Sequence, residues 1–494
     1  MFLTIILAVI TGLPPITRDL TGADPGSWED WVAGEPEPVP FSVKPLFSCS
    51  CDDGIDFAVL MEEGLADSLT PGTIERWALD MAPWVGGVLV AEASYSTPEE
   101  IRAWLSEMHG QGLDGVVLVG DLPVAWVMMD NAFTRSSETF PCDYFLMDLD
   151  GLWEDRWIGY PSAGRSGQDG KYDTWGTSGL APEIYCARIM PSKIGAEVSL
   201  LQAYLDRNHL WRTEGDPLPF QTLCYVDDDW VPFSAEFRDA MRRLYPLVEL
   251  VSDPQQTCGT DYKENRLTAV YQWISPFVHS SPLLHQWSPG PDTYWKEVKA
   301  IDPQARFYNL FACSNCRFTT SNNMGSIYVL GTSYGLAAVG STKTGSMLRF
   351  EPFYQTLGEG GCLGEAYFDW WTAITAGGFS SYEMSWHLGM VMIGDPTLVP
   401  AAPMLGLPDD WIASPEPAVM TILENPCVSS VRVGLADGAS GVRILDASGR
   451  VVASNPAARG GDTVEFDMRG LPSGIYTAVT ESPAGVAAVR FARL

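Results

Sequence analysis

Cys313 and His279 are the pair of side chains whose types and spacing best suit chemistry in this chain. They lie in the segments SPFVHSSP (275–282) and RFYNLFACSNCRF (306–318), each an apolar run followed by a short polar turn. A thiol becomes a useful nucleophile only where something favours the thiolate. A neighbouring imidazole does so and also supplies a proton to a leaving amine. Backbone N–H groups just past a strand end can point at a developing oxyanion, a role that falls here to Ser280 and Cys313. Histidine occurs only at 109, 209, 279, 285 and 387, so few imidazoles compete. His285 is the rival, 313 − 285 = 28 residues from the cysteine, and His279 is preferred. A plainer arrangement fits the same residues: a buried thiol and a core histidine. Cys313-Ser314-Asn315-Cys316 is also a CxxC after a predicted strand, which makes a thiol–disulfide oxidoreductase the alternative chemistry.

Such a pair needs adjacent strand ends to hold it. From Asp52 to Pro400 short β-rich runs alternate with helical stretches, which predicts an α/β fold with a mostly parallel sheet and helices on both faces. Thr97, Pro98 and Glu100 form a capping box, after which Ile101, Trp104, Leu105 and Met108 recur at helical spacing. Val116 to Val119 is a continuous apolar run, expected of a strand covered on both sides. Helices are expected near 194–211, 234–244 and 264–274. Strands are expected at 220–226, 247–251, Pro276–His279, Arg306–Ala312 and Leu336–Gly340. In such sheets ligand chemistry sits beyond the carboxyl ends of the strands, where His279 and Cys313 fall.

The chain has 494 residues and is 46% hydrophobic, enough for a sizeable core. It carries 30 Lys plus Arg against 62 Asp plus Glu, a net charge of −32 that argues against nucleic acid as a partner. MFLTIILAVI reads as the apolar part of a signal peptide (1–20), followed by an N-terminal linker (21–50). No later stretch is apolar enough for a transmembrane segment. Ten cysteines are too few for a dense disulfide scaffold. An Ala/Pro-rich linker (401–425) precedes short alternating runs with Gly-, Asp- and Ser-rich turns, which predict a small C-terminal β-sandwich (426–494).

The central stretch resembles the gingipain-like cysteine peptidases, family C25, whose catalytic domain is similar to that of caspases. The family pairs a His-Gly turn with an Ala-Cys-x-Asn-Gly-x-Phe motif. Here these read His279-Ser280 and Ala312-Cys313-Ser314-Asn315-Cys316-Arg317-Phe318, separated by 313 − 279 = 34 residues. VVLVGDLPV (116–124), CDYFLMDLDG (142–151), IYCARIMPS (184–192), GSTKTGS (340–346) and GDPTL (394–398) look like further family landmarks in the same order. The resemblance implies a gingipain-like region divided into an N-terminal part (51–240) and a caspase-like part (241–400). It implies a secreted endopeptidase with Cys313 as nucleophile and His279 as general acid/base. Ser280 and Cys316 depart from the motif's glycines, and a silent surface protein of the same fold is a further alternative.

Asp143 stands where Arg-specific members of the family place a carboxylate, which implies Arg or Lys at P1. Asp121 is a candidate for supporting the imidazole. Asp148 and Asp150, with Glu154 and Asp155, offer oxygen ligands in a D-x-D-G context for a structural calcium ion, though the register of a twelve-residue calcium loop is missing. Asp227, Asp228 and Asp229, after the strand ending at Val226, offer a second acidic set. No other cofactor is required. VRILDASGRVV (442–452) and LPSGIYTAV (471–479) look like sorting domains of the type IX secretion system. That resemblance implies the type IX machinery as a partner, and a secreted or cell-surface location reached through the periplasm and outer membrane.

Overall fold

An eleven-stranded sheet carries the molecule. Its strands are β1 (Val43–Cys49), β2 (Phe57–Glu62), β3 (Val88–Ala93), β4 (Gly115–Val119), β5 (Tyr185–Ile189), β6 (Gln221–Val226), β7 (Leu247–Val251), β8 (Trp273–Phe277), β9 (Phe307–Asn309), β10 (Ala337–Ser341) and β11 (Met390–Gly394). The computed structural model describes residues 26–50, 54–159, 164–176, 180–214, 220–400, 420–423, 427–436, 438–445, 451–472, 474–482 and 485–493. The expected signal peptide and residues 401–419 of the expected linker lie outside them.

The strand order is β1-β3-β2-β4-β5-β11-β10-β9-β8-β6-β7. Two pairings are antiparallel, β1 with β3 at one edge and β10 with β11 in the middle; the rest are parallel. The β10/β11 reversal splits the sheet into two parallel blocks running in opposite senses. One hydrophobic core nevertheless extends from Phe57 to Leu398. The division expected at residue 240 therefore coincides with no break in the sheet or its core.

Local sequence explains the elements. Glu100 N–H donates to Thr97 Oγ1 at 3.3 Å and Thr97 N–H to Glu100 Oε2 at 3.4 Å, closing the capping box of helix Pro98–His109, which buries Ile101 and Leu105. All five residues of β4 are buried, and each large aliphatic side chain removed from water there is worth about 1.5–3 kcal/mol.

The stretch read as an N-terminal linker holds structure instead. Ser27 caps helix Trp28–Gly34 by accepting from Asp30 N–H at 3.0 Å, and Trp28 lies 5.5 Å from the Trp126 ring. Beyond it, β1 tolerates Pro45 because it is an edge strand with a register irregularity there. β8 starts at Trp273, earlier than expected, because Trp273 and Ile274 are needed in the core. No helix among the described residues is long and apolar enough to cross a membrane. At the C-terminus, Met420–Ile422, Ser430–Leu435 and Thr463–Asp467 form one small antiparallel sheet. Ser440–Leu445, Val451–Arg459, Gly474–Ser482 and Gly485–Arg493 form another. Val431 and Val433 of the first share a core with Val442 and Ile444 of the second.

Candidate functional site

The second block, extended to β11, has the spatial order β7-β6-β8-β9-β10-β11, so the chain changes its direction of winding between β6 and β8. At such a switch point the connections leave the sheet in opposite directions and open a crevice at the carboxyl ends of the strands. Three chemical groups follow the three strands at this point. Phe277 and Phe311 bridge in parallel, and Val278 N–H donates to Phe311 O at 3.2 Å. His279 and Cys313 each lie two residues beyond this bridge, where the two chains leave the sheet. On the other side, Val226 pairs with Phe277 and Asp227 N–H donates to Phe277 O at 2.9 Å. The chain then turns so that Asp229 Oδ2 lies 3.0 Å from His279 Nε2. The Trp230 ring stands edge-on to the imidazole, 4.6 Å between centroids.

Beyond Cys313 the chain turns sharply. Ser314 adopts a left-handed conformation with φ of 54°, unusual for a residue with a side chain, and three bonds hold it there. Ser314 N–H donates to Lys343 O at 2.9 Å, Cys316 N–H to Ser341 O at 3.0 Å, and Asn315 Nδ2 to Leu310 O at 3.1 Å. Lys343 is itself buried; its ammonium donates to Ser385 O at 2.6 Å and stands 3.5 Å from Glu138. Burial draws its pKa down, while Glu138 and the thiolate form of Cys313 act against that shift.

His279 and His285 lie on one hairpin, in which Ser280 pairs with His285 and His279 with Gln286. Side chains alternate between faces along a strand, so His285 shares the face of Ser280 and not that of His279. There His285 is fully buried, 3.3 Å from Ser280 Oγ, and burial pulls its pKa down to about 3. It is a neutral core ring. Ser280 Oγ donates to Leu284 O at 2.7 Å, so the hydroxyl that replaces the motif's glycine hydrogen is turned into the hairpin. Cys316 fills a slot between two other glycines: a Cβ on Gly325 or Gly340 would come within 2.4 or 2.5 Å of its sulfur. Burial pushes this thiol well above its usual range.

Asp143 is 2% exposed, and its two carboxylate oxygens accept from Arg188 Nε at 2.9 and 2.8 Å. The remaining guanidinium nitrogens donate to the carbonyls of Leu122 and Pro123. This carboxylate is neutralised inside the fold, so the expected contact with a basic P1 side chain is not open to it. Asp121 follows β4, which β5, β11 and β10 separate from β9; its carboxylate accepts from Ser192 Oγ and pairs with Lys193 at 3.7 Å. It does not reach His279. The residue that does is Asp229, read in the sequence only as one of three acidic ligands. Its signal was its place just past the strand next to β8. Asp148 and Asp150 do come together, joined by Glu183, while Glu154 pairs with Arg156 and Asp155 accepts from Gly170 N–H at 2.7 Å. Burial pushes the Asp148 carboxyl up to about 7.

No protein-family model matches the chain, and no curated protein matches it. Among solved structures, it aligns with a double mutant of the Cellulomonas fimi endo-beta-1,4-mannanase at 10% identity and a TM-score of 0.14, covering 90% of this chain and 94% of that one. The endo-beta-1,4-mannanase from Thermotoga petrophila aligns at 10% identity and a TM-score of 0.13, covering 80% and 82%. Similarity of that size does not amount to a shared fold.

Proposed function

We propose that this protein is a cysteine endopeptidase built on a caspase-like domain. The observation that carries the reading is the Asp229–His279 bond, made where His279 and Cys313 each lie two residues past the parallel Phe277–Phe311 bridge. In the proposed reaction Cys313 sulfur attacks the scissile carbonyl as the thiolate, its proton having passed to His279. The tetrahedral oxyanion is met by the N–H groups of Cys313 and Ser280. His279 then protonates the leaving amine as the C–N bond breaks, and water, deprotonated by His279, releases the acid from the sulfur. Asp229 fixes the orientation of the ring and stabilises the imidazolium. The β7-β6-β8-β9-β10-β11 order, ending on an antiparallel strand, supports the caspase-like assignment. Cys316, wedged between Gly325 and Gly340, is a poor redox partner for Cys313, so the CxxC reading has less support.

The strongly acidic chain attracts basic peptides at long range, an effect on encounter and not on the P1 position, while Asp143, paired with Arg188, supplies no P1 contact. We read the two C-terminal sheets with their own core as a β-sandwich module for export by type IX machinery to the cell surface. The decisive experiment compares the parent with Cys313→Ala and His279→Ala on fluorogenic peptides with Arg, Lys or uncharged P1 residues, under reducing conditions. Each variant should lose about 10⁴-fold in kcat/KM. Hydrolysis that survives both substitutions overturns the proposal.

A further inference from the structure

The turn that follows helix Tyr144–Met147 gathers three carboxylates. One carboxylate oxygen from each of Asp148, Asp150 and Glu183 lies within 4.8 Å of the others. Asp148 is 1% exposed, and its Oδ1 is buried with no hydrogen-bond partner, while Oδ2 accepts from Trp153 Nε1 at 2.8 Å. Leaving one oxygen of a buried carboxylate without a donor is costly unless something positive meets it. Gly151 makes the arrangement possible, because a Cβ there would come within 2.0 Å of Oδ2 and 2.4 Å of Oδ1. Glu183 Oε2 accepts from Leu149 N–H at 2.6 Å, which fixes that side chain against the turn.

The charge balance points the same way. Arg102 is bound to this turn through the carbonyls of Asp148 at 3.0 Å and Gly151 at 2.7 Å. Three carboxyl groups thus face one guanidinium, which leaves the turn richer in acidic than in basic groups. The donors are all oxygen, which suits a hard ion. Three protein carboxylates in one site suit calcium, which takes about six to eight oxygen ligands, better than magnesium, which keeps most of its water and is usually held by one or two carboxylates. We propose that Asp148, Asp150 and Glu183 bind a calcium ion, with water completing the shell.

Trp153 makes the site readable, since its indole touches Asp148 and should sensitise emission from terbium bound in place of calcium. In the full-length protein, terbium emission excited through tryptophan should saturate and be displaced by calcium but not by equal magnesium. Asp150→Asn, at an exposed position, should weaken terbium binding at least about tenfold while the fold is kept. Trp153→Phe should remove most of the sensitised emission, which assigns that emission to the indole beside Asp148. Calcium should also raise the melting temperature of the parent and not of Asp150→Asn or Glu183→Gln. Emission and melting temperature that respond identically in parent and Asp150→Asn would place terbium on the general acidic surface and overturn the site. Equal displacement by magnesium would overturn the assignment to calcium.

Discussion

Two groups of carboxylates in this molecule look interchangeable as sequence and are put to opposite uses. Around the ends of β4 and β5, Asp121 meets Ser192 and Lys193, and Asp143 is locked onto Arg188, 1% exposed itself. Past β6, Asp229 keeps a partly exposed side chain and bonds an imidazole. The first group spends its charge on holding segments together. The second leaves charge directed at a group that can exchange a proton. What separates them is the partner that topology delivers: a guanidinium from the middle of a neighbouring strand in one case, a histidine from a strand end at the switch point in the other.

The sharpest way to break this contrast is Asp143→Asn. Removing one member of a buried pair strands the other charge, which typically costs about 3–5 kcal/mol. The substitution should lower the denaturant midpoint strongly while leaving the P1 preference of any surviving activity unchanged. If the midpoint held and the preference for basic residues disappeared, Asp143 would belong to the substrate site after all. Asp229→Asn is expected to do the reverse. The amide still reaches His279 but no longer stabilises its cation, so kcat should fall about a hundredfold with KM within about twofold. Asp121→Asn, made alongside, should leave both constants unchanged. An Asp229→Asn enzyme with parental kcat would reduce the Asp229–His279 bond to a packing contact.

Much of the sheet, and the residues of the candidate site, could be named beforehand, for identifiable reasons. Runs such as Val116 to Val119 announce strands covered on both faces, and the cap at Thr97 announces its helix. Cys313 and His279 were singled out because each ends an apolar run at a polar turn. Their register could not be read, since it depends on Phe277 bridging Phe311 across 34 residues of chain. Asp229 went unrecognised because a carboxylate becomes an imidazole's partner only through the order of strands in space, and three consecutive aspartates give no local sign of which one meets the histidine. Asp143 was misjudged for the complementary reason: Arg188 sits inside a strand, in IYCARIMPS, and nothing local marks it as that carboxylate's partner. The stretch 21–50 was read as a linker, yet Trp28 and Trp31, with Phe41, Val43, Leu46 and Phe47, pack against the core.

The remaining test concerns Asp227, two residues before Asp229. It is fully buried, its Oδ2 accepts from Ser288 N–H at 3.1 Å, and its Oδ1 has no partner. Burial, reinforced by Asp228, pushes its carboxyl up to about 8 from the ordinary 3.8. Between those two values the folded chain holds a proton that the unfolded chain has released. Stability from this group therefore declines as pH rises through that window, by up to about 1.4 kcal/mol per unit. Asn cannot ionise and keeps an oxygen for Ser288, so Asp227→Asn should flatten the decline, and the variant should gain on the parent from pH 5 to pH 8. Urea midpoints at the two pH values measure it. Parallel profiles would mean that Asp227 is ionised in the folded protein. The switch-point crevice would then hold a second charged carboxylate beside the one on His279, which would blur the contrast with the neutralised Asp143.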